Sequence, residues 1–343
     1  MRGDLLVPTE HGLHCAPGGF HVDPWRPVER AIVTHAHSDH ARVGCGAYLC
    51  SREGEGVLRR RLGADAVIEA LDWGETREVG GVRVSLHPAG HILGSAQVRL
   101  EHGGDVWVAA GDYKTTPDPT CSPFEPVRCR VFITESTFGL PVYRWEPAET
   151  VFDAIHRWWR ANREEGRTSI LMAYSLGKAQ RLLAGIDAGE GPILLHGAAV
   201  ALSEEYARAG RTLAPWAHAD AEASAAGKGR ALVIAPPAVA GSPWLRRFGD
   251  AALAFASGWM ALRGTRRRRA VERGFAISDH ADWPGLLAAI DATGAERVGV
   301  THGYTAPLVR YLRERGRDAW EVPTRFVGEA PEEAAPGDGT AED

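Results

Sequence analysis

The sequence predicts an α/β protein in which a strand-rich N-terminal half is followed by an alternating strand–helix region and then a return to strands. Three observations carry this reading. Residues 1 to about 135 hold short β-branched or aromatic runs punctuated by glycine. Residues of about 145–275 alternate buried apolar runs with amphipathic ones. Beyond 275, two further apolar runs are each followed by a helical pattern.

Taken in order, strands are expected at Ala31–Thr34, Val82–Leu86, Val98–Leu100, Val106–Ala109 and Val131–Thr134, each bounded by Gly, Asp or Pro. Gly80-Gly81 and Gly103-Gly104 read as hairpin turns between antiparallel neighbours. Glu53–Arg61 reads as a helix. In the middle region Thr150–Arg163 is a helix with Trp158 and Trp159 on its core side. Ser169–Tyr174 is a buried strand and Leu176–Ala184 the helix after it. Ile193–Leu195 and Ala231–Ala235 continue the alternation, which implies a parallel sheet. Phe275–Ser278 and Arg297–Thr301 are then strands, with helices at Pro284–Ala292 and Pro307–Glu314. The acidic, Pro/Gly/Ala-rich end, GEAPEEAAPGDGTAED, has no periodicity and reads as a disordered tail.

A chain of 343 residues exceeds the usual size of one compact domain, and an apolar fraction of 44% is ample for its cores. The net charge of −5 excludes a polycation of the histone kind but not a locally basic groove. Five cysteines without a C-x-x-C pair argue against a zinc ribbon or a disulfide framework, and favour a reducing compartment. The N-terminus lacks a basic segment followed by an apolar run, and no stretch approaches the roughly 18 apolar residues of a membrane span. The expectation is a cytoplasmic protein.

Histidine carries the chemistry. Directly after the apolar run Ala31–Val33 comes Thr34-His35-Ala36-His37-Ser38-Asp39-His40. Side chains two apart on an extended segment share a side, so His35 and His37 can grip one ion. Asp39 and His40 then fall where the chain turns and can face a second. Three imidazoles and a carboxylate suit Zn²⁺, or Mn²⁺ or Fe²⁺ in a carboxylate-richer site. The bland alternative, a surface loop of histidines, has no reason to follow a buried strand so abruptly. A second piece is Pro88-Ala89-Gly90-His91-Ile92-Leu93-Gly94-Ser95, where glycine permits close approach; alone, a turn histidine explains it as well. The third, Ala110-Gly111-Asp112-Tyr113, puts an Asp at a strand end, where its two oxygens could bridge two cations or merely close a turn.

Together, in this order, the three resemble the metallo-β-lactamase superfamily: HxHxDH, a lone His, then an Asp after a strand. Asp23, in Phe20-His21-Val22-Asp23-Pro24, fits the earlier Asp that supports the ligands from outside. Thr134-Glu135-Ser136-Thr137-Phe138, Ser278-Asp279-His280-Ala281-Asp282 and Val300-Thr301-His302-Gly303 resemble motifs A, B and C of the β-CASP nucleases. That group contains the cleavage-and-polyadenylation endonucleases, ribonuclease J and the Artemis-type DNA repair nucleases. The runs HAHSDHA, AGHILGSAQ, GDYK, TESTFGLP and YSLGKAQR resemble most closely the bacterial ligase-associated DNA exonucleases. The likeness covers about residues 5–325.

The resemblance implies an αββα metallo-β-lactamase sandwich with an inserted α/β β-CASP domain. Its parts would be residues 1–140, the insertion at 141–275, the return at 276–327 and the tail at 328–343. It further implies two divalent ions, zinc first and manganese as the alternative. His35, His37 and His91 would hold one; Asp39, His40 and His302 the other; Asp112 would bridge. Glu135 would orient a ligand imidazole, His280 would act as general acid, and water between the ions would attack phosphorus. The catalytic set is thus Asp39, Asp112, Glu135 and His280. The implied substrate is single-stranded DNA, cut from an end in repair with a lean towards 5′→3′, and a DNA ligase is the implied partner. One departure bears on this: Artemis-type enzymes lack a histidine at motif C, the RNA-cleaving branch has one, and this chain has His302. An RNA nuclease therefore stays open, as do a small-molecule hydrolase and a non-enzymatic binder; the insertion argues against the one and the intact ligand set against the other.

Two softer features concern substrate. Arg263 and Arg266, Arg267, Arg268 and Arg269, with Trp259 nearby, read either as phosphate and base contacts or as a solvated arginine loop. Ser175, Lys178 and Arg181 open a helix whose first N–H groups could receive a terminal phosphate, or are an ordinary helix start.

Overall fold

The two Gly-Gly pairs set the strand register of the N-terminal half. In the computed structural model, which describes residues 3–262 and 271–325, Gly80 and Gly81 have φ of 57° and 82°, and Gly103 and Gly104 57° and 78°. Two successive positive φ values are what a two-residue turn needs to match strand twist. They close Thr76–Val79 onto Val82–Pro88, and Ala96–His102 onto Asp105–Ala109.

Two compact units result. Of the described residues, one holds 3–145, then Glu205–Thr212, then 278–325; the other holds Glu146–Glu204 and the described part of Leu213–Ile277. The return of Glu205–Thr212 to the first unit was not anticipated from the sequence. It begins inside the helix Gly197–Arg208, whose alanine-rich text carries little amphipathic signal.

The first unit contains two sheets. One has six strands in chain order, from Val7–Thr9 through Gly12–Cys15, Phe20–Val22, Arg30–Ile32 and Ala47–Ser51 to Ile68–Leu71. The other runs Asp318–Glu321, Arg297–Gly303, Val131–Ser136, Asp105–Ala109, Ala96–His102, Val82–Pro88, Thr76–Val79. Alternation along the strands decides which layer each side chain joins. Trp107, Ala109, Val131 and Ile133 enter a core shared with Phe20, Val22, Ile32 and Leu49 of the first sheet. Their neighbours Val108 and Phe132 turn the other way, onto Leu286, Ile290, Leu308 and Leu312. Those four lie on the helices Trp283–Thr293 and Thr305–Glu314. This is the α/β sandwich implied by the resemblance. The loops bearing His35, His91 and Asp112 leave the ends of Arg30–Ile32, Val82–Pro88 and Asp105–Ala109, and His302 lies at the end of the strand Arg297–Gly303 itself.

The second unit is built on a wholly parallel sheet, ordered Ala217–His218, Ile193–Leu195, Leu232–Ala235, Thr168–Met172, Ala251–Ala256, Arg273–Phe275. Parallel strands are covered on both faces, so their text is apolar throughout rather than alternating; all five residues of Thr168–Met172 are buried. Trp158 and Trp159 are buried in the core on one side of this sheet, as expected. Three strands of this sheet differ from the sequence reading, the short Ala217–His218 among them, which was not foreseen. Ala251–Ala256 was not foreseen, its alanines being poor strand formers. The run expected at Phe275–Ser278 pairs earlier, as Arg273–Phe275. No helix among the described residues is long and apolar enough to cross a membrane.

Candidate metal centre

The first ligand loop begins where the strand Arg30–Ile32 stops, two residues earlier than expected. Asp23 ends it: its carboxylate accepts from Thr34 N at 2.8 Å and from Thr34 Oγ1 at 2.6 Å. The chain turns where Asp39 and His40 were expected to turn, His40 N and Ala41 N both donating to His37 O at 3.1 and 2.8 Å. His35 Nε2 lies 3.1 Å from His37 Nδ1.

His91 joins them from the loop after Val82–Pro88, its Nε2 3.2 Å from His37 Nδ1. Ser95 Oγ accepts from His91 N at 2.9 Å and from Ile92 N at 3.2 Å, winding the loop tightly. Gly94 is required there, since a Cβ would stand 2.1 Å from the backbone of Gly54. The His91 ring faces the Asp279 carbonyl through Nδ1 at 2.9 Å. A carbonyl can only accept, so the proton sits on Nδ1 and Nε2 offers a lone pair to the centre. The three rings stand nearly perpendicular, at 80–83°, with centroids 4.8–4.9 Å apart.

Asp39, His40 and His302 form an adjoining donor set. His40 turns Nδ1 to Asp23 Oδ2 at 2.7 Å, leaving Nε2 facing inward. His302 stands at the end of Arg297–Gly303 with φ of 50°, a left-handed backbone that costs about 1–3 kcal/mol outside glycine. Ser136 holds it there, its hydroxyl donating to the His302 carbonyl and its carbonyl accepting from Tyr304 N at 2.8 Å. Gly303 makes the close passage possible, for a Cβ would lie 2.4 Å from Ser136 O. Between the two sets stands Asp112. Its Oδ2 is 3.6 Å from His35 Nε2, 3.9 Å from His91 Nε2 and 3.4 Å from His40 Nε2.

Whether cations fit here can be tested on the polar atoms. His40 Nε2 and Asp112 Oδ1 are buried with no hydrogen-bond partner among the described residues. Orphaned buried donors and acceptors are costly and rare, and both of these point where a cation would satisfy them. Burial and the neighbouring imidazoles hold His35 well below the usual histidine range, and burial with His280 beside it brings His91 down to about 4. His302 is lowered by burial and by His40. Neutral imidazole is the ligating form. For His40 burial acts downward too, but Asp112, Asp39 and Asp23 outweigh it and raise the ring well above its usual range. So many carboxylates around one ring make a site that attracts positive charge. His, Asp and a shared carboxylate suit two divalent ions.

Beside Asp112, Glu135 is fully buried and accepts from Tyr113 N at 2.8 Å. Its carboxylate also holds His280 Nδ1, at 2.8 and 3.0 Å. The partner of Glu135 is therefore His280, where the sequence reading had it orient a ligand imidazole. Burial pushes His280 down, yet Glu135 and Asp112 bring it up to about 10. Asp279 also comes within ligand spacing of His91 and His280. It was quoted in a motif but given no role, because nothing in one sequence says that its backbone carbonyl meets His91.

The remaining predicted residues lie elsewhere. Ser175, Lys178 and Arg181 are buried in the second unit, at 5%, 0% and 8% exposure, so neither cation is the solvated side chain of an ordinary helix start. The helix begins at Lys178 and its first turn is closed from within, Gly177 N donating to Gln180 Oε1 at 2.7 Å. Trp259 is half-buried beside the second unit's core. Arg263, Arg266, Arg267, Arg268 and Arg269, and the acidic tail, lie outside the described residues.

An α/β sandwich with histidine and aspartate donors gathered at its strand ends defines a metallohydrolase type of centre. Known proteins narrow the class. Over 319 residues, 92% of its length, the chain is 34% identical to a protein named Probable DNA ligase from Opitutus terrae, of which it spans 31%. Over 198 residues, 53% of its length, it is 32% identical to Endoribonuclease YSH1 of Yarrowia lipolytica, of which it spans 23%. The chain thus covers under a third of either relative. A solved protein of unknown function from Enterococcus faecalis V583 shares the fold, with a TM-score of 0.58 at 13% identity over 79% of this chain and 74% of that one. No family model matches. On these relatives and the motifs now placed, the chain belongs to the β-CASP nucleases of the metallo-β-lactamase superfamily.

Proposed function

We propose that the protein is a metal-dependent DNA exonuclease that hydrolyses phosphodiester bonds at single-stranded ends during repair. The observation that carries this reading is the placing of Asp112 between two donor sets, with the Glu135–His280 pair beside it. His35, His37 and His91 would hold one divalent ion, Asp39, His40 and His302 the other, and Asp112 would serve both; zinc is the first choice and manganese the second. Such ions supply positive charge for the phosphate oxygens and make water acidic enough to act as nucleophile near neutral pH.

The chain's own residues do the rest. Asp23 holds His40 from outside, and the Asp279 carbonyl holds His91, so neither ring can turn as substrate enters. Glu135 fixes His280 by Nδ1, which leaves Nε2 to carry a proton to the departing oxygen. The second unit is the inserted β-CASP domain in this reading, and the arginine run before it ends is assigned to the phosphate backbone. DNA is preferred as substrate because the likeness to a protein named for DNA ligation spans nearly the whole chain, whereas that to an endoribonuclease spans about half. A ligase acting on the trimmed end is the proposed partner, in a reducing, cytoplasmic setting. An RNA nuclease is the second reading, favoured by His302 and by the likeness to an endoribonuclease over about half of the chain.

The test uses DNA and RNA oligonucleotides of one sequence, labelled at either end, with Zn²⁺, Mn²⁺ or EDTA. The expected result is laddered loss of single-stranded DNA from one end, faster than RNA, and abolished by EDTA. Equal or faster cleavage of RNA would overturn the substrate assignment, and activity surviving in EDTA would overturn the metal.

A further inference from the structure

Lys114 stands two residues beyond Asp112 and is only 2% exposed. Burying an ammonium costs several kcal/mol unless its surroundings compensate, and methionine would fill the same space without that cost. What the lysine does with its buried length gives a reason. Nζ donates to the Ser278 carbonyl at 2.9 Å. Its backbone N donates to Ala89 O at 3.0 Å, and its own carbonyl passes so close to Gly90 that a Cβ there would stand 2.4 Å from it. One residue therefore grips both the loop that carries His91 and the turn that carries His280.

That turn is where the grip matters. Ser278 Oγ accepts from His280 N at 3.0 Å, closing Ser278–His280 on itself. The next carbonyl, that of Asp279, fixes the His91 ring at 2.9 Å, and His280 itself rests on Glu135. Displacing the Ser278 carbonyl would move the Asp279 carbonyl with it, since they belong to adjacent peptide units. A charged donor makes a shorter and stronger bond than a neutral one, so an ammonium is suited to hold a carbonyl that carries no regular secondary structure.

We propose that Lys114 is a positioning residue whose ammonium pins the Ser278–His280 turn, keeping His91 aimed at its ion and His280 seated on Glu135. The proposal rests on the metal-centre reading above and adds to it a residue that touches neither ion nor substrate. Of the two donor sets, the one that contains His91 is the one whose ring nitrogen rests on a carbonyl of this turn.

The experiment is metal binding, not turnover. Zinc affinity is measured by chelator competition, and Co²⁺ uptake by its visible spectrum, on the full chain as wild type, Lys114→Met and Lys114→Arg. Wild type is expected to take up two equivalents. Lys114→Met should keep its circular dichroism, lose about 10–100-fold in affinity for one equivalent, as outer partners of ligands typically cost, and alter only that equivalent's cobalt bands. Lys114→Arg, which keeps a cation, should recover part of the loss. Two equivalents at wild-type affinity with unchanged spectra in Lys114→Met would overturn the proposal. So would failure of both variants to fold at any zinc concentration, which would make Lys114 a folding residue. A wild type that binds no metal would instead bring down the reading of the centre itself.

Discussion

Among the described residues two clusters of histidines lie in the first unit, and they differ in what surrounds them. His35, His37 and His91 have ring centroids 4.8–4.9 Å apart. His14 and His21, paired across neighbouring strands, are 4.5 Å apart, and His11 lies 6.0 Å from His21. Ring spacing hardly separates them; orientation and charge do. In the buried cluster, Thr34, Asp23 and the Asp279 carbonyl hold the outward nitrogens of His35, His40 and His91. In the outer trio His11 Nδ1 is buried without a hydrogen-bond partner among the described residues, and the nearest carboxylate, exposed Glu10, is 3.6 Å from its other nitrogen. The lesson is that imidazoles close together only repel one another unless outer partners aim them and carboxylates invite the ion.

The largest effect should follow from removing the carboxylate that separates the clusters most clearly. Asp112→Asn keeps shape but loses the charge facing both donor sets. Turnover of a DNA oligonucleotide should fall by about a thousandfold, the upper range for one preorganised electrostatic contact, with the melting temperature nearly unchanged. Replacing His11, His14 and His21 together by Gln should alter turnover less than about twofold, within assay scatter on this scale. A large loss in that triple variant would break the comparison.

His280 comes next. Glu135 fixes it as Asp23 fixes His40, and the proposed function assigns it proton donation rather than ligation. His280→Gln should slow turnover by about a hundredfold, within the usual range for a general acid, at unchanged metal content. Loss of a whole metal equivalent in this variant would reassign the residue to the ligands.

The residues that the structure gathers at the candidate centre were legible from the sequence because they come in short runs after strands, where residue type, glycine and spacing suffice. Less was legible about what aims them. Asp23 was recognised by its place before the first histidine run, and the chain was expected to turn at Asp39 and His40, but the hydrogen bonds from His40 N and Ala41 N to His37 O that close that turn are invisible in the sequence. Glu135 was expected to orient an imidazole that the sequence did not identify, and Asp279 and Lys114 were given no partner at all. Their contacts join residues 145 to 188 positions apart, and two of them run through backbone carbonyls that no side-chain pattern reports. The fold showed the same division. Both Gly-Gly turns and the parallel second sheet were readable. The strand Ala251–Ala256 and the return of Glu205–Thr212 to the first unit depend on tertiary packing of alanine-rich text.

The smallest effect concerns the outer trio and gives the comparison its sharpest edge. Partial burial, then the neighbouring His14 and His11, bring His21 down to about 4, whereas an unfolded histidine titrates at about 6.5. The folded value lies below the unfolded one, so below pH 6.5 the unfolded chain binds the extra proton and stability falls with pH. The contribution is whole above about pH 6.5 and lost on descending to about 4, where the folded ring is protonated as well. The ring is partly exposed and no acid faces it as Asp112 faces His40, so solvent screening leaves on the order of 1 kcal/mol or less. His21→Gln should therefore leave the urea midpoint at pH 7.5 nearly unchanged and reduce its drop between pH 7.5 and 5. Any metal held at the proposed centre would also be released over that range, so both proteins are compared with EDTA present throughout. An identical drop in the two would mean that the outer trio does not repel, and that the contrast between the clusters lies in orientation alone.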